Sequence, residues 1–118
     1  MATAALKFAK SAKGDITFAA TPTTTMYKAE LTNGNADSIT LASDSDYYTV
    51  SFVYQPGTSC WVDVTGVTAA GPTTATLAVT TSRLNPASYL LPAGAVISVV
   101  TESVTAQVSI AIWQGGNL

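Results

Sequence analysis

Seven carboxylates, one thiol and no histidine are the groups this chain offers for proton transfer or metal binding. Without histidine it lacks the commonest general base and the commonest metal ligand. Cys60 is the only cysteine, too few for a structural zinc site, and strand alternation turns it toward the core as a small hydrophobe. Gly57-Thr58-Ser59-Cys60 resembles a nucleophile elbow only superficially, because it has no second glycine, no following helix and no histidine partner. Asp44 and Asp46 alternate with Ser43 and Ser45 and would offer oxygens to calcium, which wants about six to eight. No further acid lies near, so the stretch reads as a polar loop. Asp63 falls on a strand face and Glu102 in a turn, with no cleft to pair them as glycosidase acids. These readings predict no catalytic residue, no cofactor and no metal ligand, and a hydrolase using Asp44, Asp46, Asp63 or Glu102 is the least favoured class.

The elements that must carry these residues are strands. Period-two alternation recurs from Asp15 to Trp113. Ile16 and Phe18 share a face of a first strand, and Tyr27, Ala29 and Leu31 a face of the second, followed by an Asn33-Gly34-Asn35 turn. Ile39 and Leu41 point inward from a short strand. Tyr47 to Gln55 is the strongest strand, with Tyr48, Val50, Phe52 and Tyr54 on the core side. Pro56-Gly57 sets a type II turn, after which Cys60, Val62 and Val64 face in while Trp61, Asp63 and Thr65 face out. These two strands are expected to form a hairpin.

A further strand is expected to turn Leu77 and Val79 inward, and Arg83 to Pro92 to form a loop around Asn85-Pro86 with Tyr89, Leu90 and Leu91 as an apolar insertion. Ala95 to Thr101 is apolar on both faces, as suits a central or doubly covered strand. After a Glu102-Ser103 turn, Ala106, Val108, Ile110 and Ile112 complete the core opposite Gln107, Ser109, Ala111 and Trp113. The fold class is therefore all-β: a single antiparallel β-sandwich or jelly roll of about eight strands over residues 14–118, with a short N-terminal arm over 1–13. The arm is too short to hold a helix without a surface to pack on, and it reads as extended or partly helical.

Charge sharpens that division. Only 10% of the 118 residues are charged, against about 25% in a typical domain. Strands with Thr, Ser and Ala on their outer faces suit a protein covered by neighbours. Lys7, Lys10 and Lys13 precede every acid, whereas from Gly14 onward two basic residues face seven acidic ones, a net −5. No general positive field suggests nucleic acid as a partner. No apolar run approaches the ~18 residues that would span a bilayer, and the N-terminal lysines interrupt any signal-peptide order. A lone cysteine suits synthesis in a reducing cytoplasm.

Two outward tryptophans on a Thr- and Ser-rich surface point to an interface, since aromatic side chains anchor interfaces whose cores are depleted of charge. An outward tryptophan also stacks on sugars or packs under a loop. The interface candidates are Leu6, Lys7, Phe8, Lys10, Lys13, Trp61 and Trp113. The stretches Leu91-Pro92-Ala93-Gly94-Ala95-Val96-Ile97-Ser98-Val99-Val100 and Thr105-Ala106-Gln107-Val108-Ser109-Ile110-Ala111-Ile112-Trp113 resemble the last hairpin of small virion proteins of tailed bacteriophages and of trimeric jelly-roll fibre domains. The resemblance to capsid cement (decoration) proteins implies a non-enzymatic virion subunit. It would form a homo-oligomer, as a trimer, and dock its arm on the major capsid protein or another virion protein. The alternative is a carbohydrate- or host-surface-binding sandwich of a fibre or baseplate, in which Trp61 contacts the glycan.

Overall fold

The computed structural model describes residues 8–10 and 16–20 as backbone and residues 23–115 with their side chains. The chain is all-β. Strand β1 (Phe8–Lys10) pairs with β2 (Ile16–Ala20) in a two-stranded sheet of their own. The remaining eight strands are β3 (Thr25–Thr32), β4 (Asp37–Thr40), β5 (Tyr47–Tyr54), β6 (Cys60–Asp63), β7 (Arg83–Leu84), β8 (Ser88–Pro92), β9 (Val96–Thr101) and β10 (Thr105–Gln114). They form two antiparallel sheets in the orders β3-β10-β5-β8 and β4-β9-β6-β7.

The two sheets bury their inner faces against each other, as alternation requires of a sandwich. Tyr48, Val50 and Phe52 of β5 and Ala106, Val108, Ile110 and Ile112 of β10 meet Val62 of β6 and Ile97 and Val99 of β9 in one core. Every inward parity read from the sequence for β5, β6 and β10 holds. Tyr27 keeps its parity on β3 but lies near the end of an edge strand and stays exposed. The Pro56-Gly57 turn also forms as expected: the Thr58 N–H donates to the Gln55 carbonyl at 3.2 Å, with Gly57 at φ +79°.

Pairing departs from the sequence expectation. Strands β5 and β6 are not a hairpin, nor are β9 and β10; each pair is split between the two sheets. Successive strands change sheet at every connection from β3 to β10 except β6 to β7. Their short turns are corners, and each strand finds its partners far along the chain. Membership differs too. Residues 74–80 are no strand, and Leu77 and Val79, expected inward, are fully exposed. The stretch expected as a loop supplies β7 and β8, with Leu91 in the core and Asn85-Pro86 as the corner between them.

Asn85 pins that corner. At φ +44° it donates its own N–H to the Cys60 carbonyl at 2.8 Å, while its side-chain Oδ1 accepts the Cys60 N–H, also at 2.8 Å. The Tyr54 hydroxyl donates to the Pro86 carbonyl at 2.6 Å. The Ile16 strand is β2 and pairs with β1, in a sheet separate from the two sandwich sheets. The expected arm, bounded at residue 13, thus supplies one strand of a pair whose other strand lies beyond that bound.

Candidate functional site

Strand β6 and its partner β9 create the most elaborated surface. Alternation sends Cys60 and Val62 into the core and leaves Trp61 and Asp63 on the outer face of their sheet, opposite Val100 and Ser98 of β9 in register. Outward residues of a sandwich normally meet water. Here Asp63, Ser98 and Val100 are buried. Their cover is the connection over residues 64–82, which folds back across the sheet: the Ala69 N–H donates to Ser98 Oγ at 2.9 Å and the Ala70 N–H to Ser82 Oγ at 3.3 Å.

Asp63 clamps both ends of that connection. Its Oδ1 accepts the Thr65 N–H at 2.9 Å and the Thr65 hydroxyl at 2.6 Å, and its Oδ2 accepts the Thr81 hydroxyl at 2.6 Å and the Ser82 hydroxyl at 3.0 Å. Burial alone would raise the carboxyl pKa. The four donors outweigh it and hold the group at about 2. Asp63 is therefore a fixed anion near neutral pH, with its lone pairs turned to its own chain. It organises a loop and is no proton donor. The alternation placed Asp63 on the correct face but carried no sign of its burial; the only local hint is the hydroxyl residue two positions on.

Trp61 is half-buried beside this clamp. The connection passes close over it: a Cβ on Gly71 would stand 2.9 Å from Trp61 Nε1 and collide with the Glu102 carboxylate. Glycine is needed there for close approach. The indole Nε1 is buried without a hydrogen-bond partner among the described residues. Beyond it, Trp61 and residues 70–80 line a cleft of about 430 Å³.

Trp113 faces outward from β10, the strand whose Ile112 enters the core, so it lies on the outer face of the other sheet. The two tryptophans therefore occupy opposite faces of the sandwich and do not form one patch. Trp113 is half-buried opposite Thr49, on a face where Met26, Val53 and Leu90 are exposed. Of the N-terminal candidates, Phe8 and Lys10 are two residues apart in β1, in register with Ala20 and Ile16. Leu6, Lys7 and Lys13 lie outside the described residues.

The other groups singled out by type have structural engagements. Asp44 accepts the Tyr48 hydroxyl on one oxygen and the Gln114 amide at 2.8 Å on the other, tying the corner before β5 to the end of β10. Tyr48 is raised above the ordinary phenol range, first by burial and then by Asp44. Cys60 is fully buried and burial pushes its thiol up, against hydrogen bonds with Thr101 and Thr58. Glu102 sits in the β9–β10 corner, where its backbone carbonyl accepts the Asn33 side-chain amide at 2.6 Å. Comparison with protein-family models, with curated proteins and with solved structures returns no match.

Proposed function

We propose that this chain is a non-enzymatic structural subunit of a virion, a capsid cement or decoration protein that docks through its N-terminal strands and self-associates, as a trimer, through its sandwich. The observation that carries the reading is the separation of β1 and β2 from the two sandwich sheets. Three of the five basic residues, Lys7, Lys10 and Lys13, fall within the first thirteen residues of an otherwise acidic chain. An isolated two-stranded sheet is marginal in water and gains stability from a surface it can join. Lysines ahead of an acidic body suit an acidic surface on another protein, and such contacts weaken as salt rises.

Two further observations support it. Eight strands in two four-stranded sheets, with sheet changes at all but one connection, suit a jelly-roll connectivity, the double-sheet form common in capsid domains. The outer faces are also short of charge, as expected of a body covered by neighbours. The glycan-binding alternative draws on the Trp61 cleft. We favour it less because the indole N–H, which would pair with a sugar hydroxyl, is buried against Gly71.

The test is co-sedimentation with heads of the encoding virus assembled without this protein. The full chain should pellet with heads in low salt and release in high salt. A chain lacking residues 1–13 should stay in the supernatant with an unchanged near-ultraviolet circular dichroism spectrum. Failure of the full chain to bind heads would overturn the proposal.

A further inference from the structure

The two sandwich sheets end on four edge strands, and β3 differs from the other three. Strand β4 has four residues, β7 has two, and β8 has five and closes on Pro92. Strand β3 runs eight residues, Thr25–Thr32, in unbroken register with β10 and contains no proline. A long, regular edge of this kind is a template for a further strand.

The ladder fixes which of its backbone groups are unused. Hydrogen-bonded pairs alternate along an antiparallel ladder. The Gln107 carbonyl accepts the Gln55 N–H at 2.9 Å on the β5 side of β10, so the alternate residues Val108 and Ile110 serve Ala29 and Tyr27 on the β3 side. The N–H and C=O groups of Met26, Lys28 and Glu30 therefore point off the sheet, where no described strand pairs with them.

Side chains identify the strand that fits. Lys28 and Glu30 are exposed on the outer face, opposite uncharged Ser109 and Gln107 within the chain. A second β3 running antiparallel about a two-fold axis at Ala29 sets Lys28 of each copy opposite Glu30 of the other, an attraction that symmetry repeats. Moving the axis to Lys28 or to Glu30 sets like charges opposite each other, and a shift of one residue sets unused backbone groups opposite ladder-bound ones. Charge and hydrogen-bond phase thus select the same register. On the inner face that register brings Tyr27 of each copy opposite Leu31 of the other. Tyr27 is 43% exposed at a groove of about 90 Å³ between β3 and β4, also lined by Ala29, Leu31, Ile39 and Ile97. A second β3 extends the apolar inner face past this groove.

We propose that two copies of this chain associate edge to edge through β3, antiparallel about Ala29, joining their four-stranded sheets into one continuous sheet. The inference goes beyond the proposed function, because a two-fold contact joins subunits in pairs and is not the interface of a trimer.

The experiment is sedimentation equilibrium on the full chain, on Lys28→Glu, on Glu30→Lys and on an equal mixture of the two variants. Both positions are exposed, so the near-ultraviolet spectrum of each variant should match the parent. The parent should form a dimer, or a hexamer where trimers also form. Each variant alone sets like charges opposite each other and should weaken pairing about 10-fold or more. The mixture should pair as the parent does, because the two altered edges complement each other. A monomeric parent at its highest soluble concentration, or a trimer that pairs no further, would overturn the proposal. So would a folded single variant that pairs like the parent, or a mixture that pairs no better than its components. No capsid enters the measurement, so a failure to bind heads leaves this inference standing.

Discussion

Replacing Asp63 by Asn tests whether a buried anion holds the 64–82 connection onto its sheet. The carboxylate accepts four hydrogen bonds from Thr65, Thr81 and Ser82, and its pKa is held at about 2 against an ordinary value of 3.8. That depression corresponds to about 2–3 kcal/mol in favour of the ionised folded state. Because the folded pKa lies below the unfolded one, this stability is fully present above pH ~4 and is lost as pH falls toward 2. Asn keeps the shape but carries no charge, and its NH₂ replaces one of the two accepting oxygens. At pH 7 the variant should lose about 2–3 kcal/mol, or roughly 10 °C in Tm for a domain of about this size. The parent and the variant should converge between pH 4 and pH 2, where the parent's carboxylate protonates. Urea denaturation of both proteins at pH 7, 4, 3 and 2 measures the gap directly, because the other carboxylates titrate alike in the two. A gap that stays constant across that range would refute the ionic origin of the clamp. A negligible gap at pH 7 would refute the clamp itself.

Two further outcomes follow from the same packing. Cys60 is fully buried with its thiol pushed up, so it should resist a thiol reagent in native buffer and react within minutes in denaturant; rapid native labelling, followed by absorbance, would contradict its place in the core. Gly71→Val should displace Glu102 and crowd the Trp61 indole, costing about 1–3 kcal/mol by thermal unfolding and shifting the tryptophan emission; an unchanged Tm and spectrum would show that the connection does not lie against Trp61.

How much of the molecule was legible in the chain depends on the kind of contact. Alternation predicted the buried sets of β5 and β10 residue by residue, because a strand's side-chain period is two whatever it pairs with. It also read β9 as a central strand or one covered on both sides, in keeping with its place inside its sheet and its buried Ser98 and Val100. The same periodicity misassigned Thr76–Thr80, which form no strand and leave Leu77 and Val79 exposed. It also passed over β8, where Asn85-Pro86 and a run of apolar residues read as loop, although Leu91 closes the core. Of the clamp residues only Thr65, two positions from Asp63, was within local reach; Thr81 and Ser82 carry no sequence signal, because their acceptor depends on a fold-back across many residues.

By itself the sequence determined the class, the inward sets of β5, β6 and β10, the Pro56-Gly57 turn and the poverty of ionisable chemistry, all consequences of residue type and nearest-neighbour geometry. Only the tertiary structure decided that the short turns are corners between sheets, that β1 and β2 pair apart from the sandwich, and that Asp63 is buried as an anion. A tight turn satisfies the same local rules whether it closes a hairpin or crosses between layers. The choice rests on which distant strand fills each ladder, and that is settled only when the whole core closes.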